Sequence, residues 1–273
     1  MRRPFLFTDA YRSAAAANCG ARPEAPVAPM RQYILESVRS HTTWSLIMLI
    51  EKMATGGFEH NLTLGQRLFY GLERQACHIL LRRPPPTVPG EQLLNLGCGP
   101  HIYEGWVNAD DYAIKRRLRE PRFRPNWRLD LTRSWACPDN HWDGIFTEHV
   151  LELCSYSQVA FALGECLRTL KPGAWLRISL PDLRKYVAAY QGGSGGEWFA
   201  SFPDPALIIS NLTQMHLHRS TWDATLMLRV LTELGFADAK EVSYRQGTDA
   251  RLLKDGDEKI HQSFYVEARK RPH

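Results

Sequence analysis

Several things that would place this chain quickly are missing from it. Its six cysteines, Cys19, Cys77, Cys98, Cys137, Cys154 and Cys166, contain no C-x-x-C pair, which argues against a zinc ribbon and a disulfide framework and fits a reduced, cytoplasmic setting. Long apolar runs are missing too. The longest, Leu46 to Ile50, is far too short to span a bilayer. Behind Arg2-Arg3, the residues Pro4, Asp9 and Arg12 interrupt the apolar core that a signal peptide needs, so neither secretion nor a membrane partner is expected. Charge of one sign is scarce: 34 Lys and Arg against 29 Asp and Glu leave a net +5 over 273 residues. That balance falls short of a dedicated nucleic-acid binder. No internal repeat is visible. What the chain does have is 44% hydrophobic residues, enough to fill a sizeable globular core.

Three stretches differ in pattern. Residues 1–28 combine Ala14-Ala15-Ala16-Ala17 with Pro23 and Pro26, a composition suited to a mobile or draped arm. Residues 29–88 read as a helical extension or cap. One helix spans Arg31 to Met53, with Thr42-Thr43 marking a break, and a second spans Leu64 to Arg82 with Leu64, Leu68, Leu72, Ala76 and Ile79 on one stripe. Pro84-Pro85-Pro86 closes that region.

From residue 89 to 273 the pattern alternates between short apolar strands and helices. Strands are expected at Gln92–Leu96, Trp106–Ala109, Trp127–Leu129, Gly144–Thr147 and Trp175–Leu180, with a helix at Tyr156–Leu170 burying Val159, Leu163, Cys166, Leu167 and Leu170. Ser220-Thr221-Trp222-Asp223 resembles a capping box before a helix with the stripe Leu226, Val230, Leu231 and Leu234, ending at Gly235. Two last strands, Ala239–Arg245 and Gln262–Arg269, are expected to pair as an antiparallel hairpin at a sheet edge. Strands alternating with helices imply an α/β fold with a mostly parallel sheet.

Within this region, Leu94-Asn95-Leu96-Gly97-Cys98-Gly99 is a buried strand ending in a G-x-G turn, where backbone approaches a ligand closely. It is followed in order by Gly105-Trp106-Val107-Asn108-Ala109-Asp110, by Leu129-Asp130-Leu131, by Trp142-Asp143-Gly144-Ile145-Phe146-Thr147-Glu148-His149-Val150-Leu151-Glu152, and by Leu170-Lys171-Pro172-Gly173. This ordered set, with the Gly235-Phe236 helix end and the terminal hairpin, resembles the class I S-adenosylmethionine-dependent methyltransferases over Leu93 to Arg269. The resemblance implies a Rossmann-like, seven-stranded, mostly parallel sheet with an antiparallel edge hairpin. It also implies S-adenosyl-L-methionine as cofactor, with methyl transfer to oxygen or nitrogen of a small-molecule, peptide or sugar acceptor in biosynthesis.

The same resemblance implies roles for particular residues. Asn95, Gly97, Cys98 and Gly99 would form the turn against the cofactor, Asp110 would accept the ribose hydroxyls, and Asp130 with Leu131 would meet the adenine amino group and ring. Asp111 competes for the ribose role. Glu148 would face the methionine end. Two departures stand out: Pro100-His101 follows Gly99 in place of a further glycine, and only ten residues separate Gly99 from Asp110, too few for a full crossover helix and another strand. Asn95 also replaces the acid that relatives often carry, so contact with an ammonium there would be a neutral hydrogen bond or run through water.

Methyl transfer needs an aligned nucleophile and, for an acidic acceptor, a base. His149, beyond the fourth strand, is the first candidate because its ordinary pKa is near neutrality, with His218 the second. A histidine that caps the following helix is the plain alternative for His149. His216 and His218 have no acidic cluster beside them, which argues against a metal. Gln191 to Phe199 has hinge-like glycines followed by aromatics, as a lid or a plain loop would. The run Lys115-Arg116-Arg117-Leu118-Arg119 with Arg122, Arg124 and Arg128 is an exposed basic segment or, in a second reading, a phosphate track for an RNA substrate. A third reading is a non-catalytic interaction protein on the same fold.

Overall fold

The computed structural model of the protein describes Leu72 and residues 82–111, 124–193, 196–214 and 217–272. The N-terminal arm, the two expected N-terminal helices apart from Leu72 and Arg82, and Lys115 to Arg122 of the basic run lie outside the described residues. The same holds for His216.

Seven strands form one sheet: β1 (Leu93–Leu96), β2 (Val107–Asp110), β3 (Trp127–Arg128), β4 (Trp142–Glu148), β5 (Leu170–Pro181), β6 (Ala237–Val242) and β7 (Ser263–Arg269). Their order is β3-β2-β1-β4-β5-β7-β6. The first five are parallel, and β7 runs antiparallel between β5 and β6. This is the Rossmann-like α/β sheet with an antiparallel hairpin at one edge that the sequence implies. Every strand lies within two residues of its expected bounds except β5 and β6, the latter ending at Val242, three residues before the expected Arg245. Strand β5 starts at Leu170 because Leu170 pairs with Trp142 ahead of a bulge, so the Lys171-Pro172-Gly173 motif sits inside the strand.

Among the described residues the helices that can be delimited are α1 (Tyr156–Thr169), α2 (Leu183–Tyr190), α3 (Gly196–Ala200), α4 (Pro205–Gln214) and α5 (Ala224–Leu234). Gln158 reaches back to accept the Ser155 N–H at 2.9 Å, one half of a capping box that starts α1. Helix α5 departs from expectation. Asp223 itself is the N-cap, accepting the Leu226 N–H at 2.8 Å, whereas Ser220 is buried and donates to the Cys154 carbonyl. The fully buried residues are Ala224, Met227 and Leu231; of the expected stripe, Leu231 is buried, Val230 and Leu234 pack partly buried against the main core, and Leu226 is exposed.

Alternation within the strands divides the core. Leu94, Leu96, Val107, Ala109, Ile145 and Val266 join the main core, which takes in residues of α1 and α5. Leu93, Trp106, Phe146 and Leu252 form a smaller cluster. Helices α2 to α4 add a third, built on Tyr186, Ala189, Phe199, Ile208 and Leu212.

Candidate functional site

Strand order reverses between β1 and β4, and the crevice outside the carboxyl ends of such neighbours is where open α/β sheets bind ligands. A cavity of about 640 Å³ occupies that place, within the usual range for a small-molecule site. It is lined by Asn95, Gly97, Cys98, Gly99, Asp110, Asp130 and Leu131 on one side of the sequence motif set and by Glu148, His149 and His218 on the other. The residues named from the sequence for the cofactor and for the base therefore all line one cavity.

Between β1 and β2 the chain crosses in the ten residues Gly97 to Trp106 without a helix. Two asparagines that pair in register across β1 and β2 hold this crossing. Asn95 Nδ2 donates to the His101 carbonyl at 2.7 Å and to Asn108 Oδ1 at 3.0 Å, while Asn108 Oδ1 also accepts the Tyr103 N–H at 2.9 Å. Asn95 is 3% exposed and is engaged by the turn itself. Its departure from an acid thus has a structural cause: two amide donors brace a crossing too short for a helix.

The glycines of the turn do different work. Gly97 has φ +72, and a Cβ there would lie 2.2–2.8 Å from the Val150 side chain. Gly99 has φ +50 and nothing within 4 Å of where its Cβ would stand. The first is required by the protein's own packing, and the second leaves an open cradle along the cavity wall. Cys98 is buried between them, its thiol 3.6 Å from the Gly99 carbonyl. The Asp110 carboxylate accepts the Gly99 N–H at 2.8 Å, fixing the acid at the lip of the cradle. Asp111 instead pairs with Arg128 at 2.7 Å. Arg128 is thereby neutralised with its side chain 6% exposed, which withdraws it from the basic run. Asp130 is buried, closes a turn onto Thr132 N and Oγ1 at 3.0 and 2.6 Å, and sits beside Arg133 at 3.3 Å.

On the opposite wall, Glu148 ends β4 and accepts the Gly256 N–H at 3.0 Å. Burial raises its carboxyl to about 7; Asp255 and Glu258 act in the same direction, and the Gly256 hydrogen bond opposes it. His149 follows with φ +51, an uncommon backbone for a non-glycine residue. Its Nε2 is 2.7 Å from Ser263 Oγ and its Nδ1 is 3.6 Å from Glu152 Oε1. It caps no helix: the short helical turn Leu151–Leu153 has Val150 as N-cap, and α1 starts at Ser155. His218 Nδ1 is 2.7 Å from the Leu212 carbonyl, and its Nε2 is 3.8 Å from the same Glu152 oxygen.

Glu152 is the residue that sequence reading missed as part of the site. It is 2% exposed, and burial raises its carboxyl to about 8. Its signal was its place three residues after His149. Ser263 and Gln262 had no such signal, since only the pairing of β7 against β5 brings them here. The aromatics Trp198 and Phe199, expected on a lid, pack into the third core cluster beside Tyr186. Tyr186 lines the cavity and donates its hydroxyl to Gln262 at 2.6 Å. Among the described residues no group of three or more His, Cys, Asp or Glu is placed to hold a metal ion, and no helix is long and apolar enough to cross a membrane.

No protein-family model matches the chain, and no curated protein matches it. Among solved structures it is similar to a SAM-dependent methyltransferase from Archaeoglobus fulgidus, with 16% identity over 73% of this chain and 94% of that one and a TM-score of 0.42. It is similar to a SAM-dependent methyltransferase from Thermotoga maritima with 14% identity, covering 85% of this chain and 97% of that one at a TM-score of 0.43. It is also similar to phosphoethanolamine N-methyltransferase 2 of Haemonchus contortus in complex with S-adenosyl-L-methionine. That match has 14% identity over 90% of this chain and 61% of that one, at a TM-score of 0.39.

Proposed function

We propose that the chain is an S-adenosylmethionine-dependent methyltransferase acting on oxygen or nitrogen of a small polar acceptor, which includes small molecules, peptides and sugars. The observation that carries this reading is the single cavity at the β1/β4 reversal, which joins the glycine turn, Asp110 and Asp130 to Glu148, His149 and His218. The residues suit the cofactor. Gly99 offers an open cradle, Asp110 a carboxylate at the end of β2 for a ribose diol, and Asp130 with Leu131 a polar and an apolar contact for a base. Bound there, the cofactor supplies an electrophilic methyl group on a sulfonium.

The chain's own residues then align the acceptor and remove its proton. A carbonyl only accepts hydrogen bonds, so His218 Nδ1 carries the hydrogen donated to Leu212, and neutral His218 has its lone pair on Nε2. Both ring nitrogens of His149 face protein groups, Ser263 and Glu152. The Leu212 carbonyl fixes the tautomer of His218, whereas the Ser263 hydroxyl beside His149 Nε2 can donate or accept, so His218 is the better-defined base and His149 the orienting group, with one nitrogen of each ring facing Glu152. The polar wall of Glu148, Gln158, Arg219, Lys259 and Gln262 suits a polar acceptor.

Calorimetry with S-adenosylmethionine, followed by mass spectrometry of a pooled acceptor library for one added methylene, tests this. Wild type binds the cofactor and Asp110→Asn binds it more weakly. His218→Ala lowers turnover by about 100-fold or more with cofactor affinity nearly intact, in the range expected for loss of a general base. Absence of cofactor binding at high micromolar concentration would sink the reading.

A further inference from the structure

We propose that Glu152 is the positioning residue of the acceptor side, a single buried carboxyl that ties His149 and His218 together as one unit. The inference deepens the methyltransferase reading and rests on it for its consequence in turnover, although the geometry stands by itself. The two histidines are 69 positions apart in the sequence and reach the cavity from different elements, one from the end of β4 and one from the segment between α4 and α5. Both approach Glu152 Oε1, His149 Nδ1 at 3.6 Å and His218 Nε2 at 3.8 Å. The other oxygen, Oε2, is buried and has no hydrogen-bond partner among the described residues. A carboxyl in that position is costly unless it serves its neighbours or holds its proton.

The backbone around Glu152 is built to keep it there. Its carbonyl accepts the N–H groups of Arg219 at 2.7 Å and Ser220 at 3.2 Å, so the residue whose carboxyl faces both rings also anchors the stretch of chain that delivers His218. On the His149 side, the left-handed backbone and the Ser263 contact turn the ring so that Nδ1 faces Glu152. The charged and titratable groups around the carboxyl are Glu148 from β4, which raises it, Lys259 from the turn before β7, which lowers it, and Tyr186 from α2, whose hydroxyl is pushed up by burial first and by Glu152 second. Burial keeps the Glu152 proton on to about 8, and the carboxyl faces the lone-pair nitrogen of His218 at 3.8 Å, so its charge acts directly on that ring. A change of charge on the carboxyl then bears on both rings at once, and the three ionisations are coupled.

Imidazole NMR of the full chain tests the assignment without an acceptor. In wild type, the His149 and His218 titration curves each carry a second step near the Glu152 ionisation. In Glu152→Gln, which keeps the shape and an amide donor but cannot ionise, both curves reduce to one step. Curves in the Gln variant that superimpose on wild type overturn the inference. Should that variant fail to fold, His218→Gln replaces it: a changed second step in the His149 curve supports the bridge, and an unchanged curve overturns it. Calorimetry with S-adenosylmethionine on the same samples separates the two readings. Coupled histidines without cofactor binding overturn the methyltransferase reading alone, and cofactor binding with uncoupled histidines overturns the role of Glu152 alone.

Discussion

At Gly97 a methyl group would meet the Val150 side chain at 2.2–2.8 Å, and the residue is also held at φ +72. Gly97→Ala is expected to cost about 2–4 kcal/mol, combining overpacking with left-handed strain. Adding Val150→Ala should return the packing share and leave the backbone share, which urea unfolding of the single and double variants resolves. Asn95 teaches a related lesson, because its amide serves the His101 carbonyl and Asn108 before any ligand arrives. The buried acids set a pH dependence. Glu152 ionises near 4.5 in the unfolded chain and at about 8 in the fold, so between these values the native state holds the extra proton. Its stabilising effect is complete below 4.5 and is lost as pH rises through about 8; Glu148 acts with the same sign up to about 7. Unfolding free energy in urea should therefore fall between about pH 5 and pH 8, with a shallower fall in Glu152→Gln. Equal slopes in the two proteins would contradict that origin.

Strand β7 does more for the site than its place at the chain's end suggests. Pairing antiparallel to β5 from Arg269 opposite Trp175 to Ser263 opposite Pro181, it delivers Ser263 to His149 and Gln262 to Tyr186. The loop between β6 and β7 is fixed from beneath by Arg177 of β5. Its guanidinium is 1% exposed and donates to Asp255 at 2.8 and 2.5 Å and to the carbonyls of Gln246 and Ser243. Asp255 also accepts the Arg245 N–H at 2.7 Å, and its neighbour Gly256 donates to Glu148. Arg177→Met leaves Asp255 buried without its partner and is expected to cost about 3–5 kcal/mol in denaturant unfolding, most of it recovered in Arg177→Met/Asp255→Leu. Recovery would show that the pair fixes the loop without adding much net stability. Helices α2 to α4 form a small core of their own, and the aromatics after the Gly192-Gly193 hinge serve it.

Over the whole molecule, cofactor binding to the native state alone should stabilise it by mass action. S-adenosylmethionine at a hundred times its Kd contributes about 2.7 kcal/mol and raises Tm by roughly 5–10 °C in a thermal-shift experiment, with a smaller rise for Asp110→Asn at the same concentration. The sequence by itself determined the parts governed by neighbours in the chain. The alternation of strands and helices from residue 89, the G-x-G turn, the helix end at Gly235 and the terminal hairpin follow from local periodicity and turn chemistry, and all are present. The ordered motifs, through the family resemblance they carry, also pointed to Asp110, Asp130, Glu148, His149 and His218, all of which line the cavity. Local pattern did not specify that Leu226 stays exposed or what Ser220 bonds, since distant residues such as Cys154 settle those choices. Nor did it show that Asn95 braces a helix-free crossing, or that one buried carboxyl meets two histidines. Those contacts depend on strand register and on the depth at which a side chain lies, and only the closed tertiary structure fixes both.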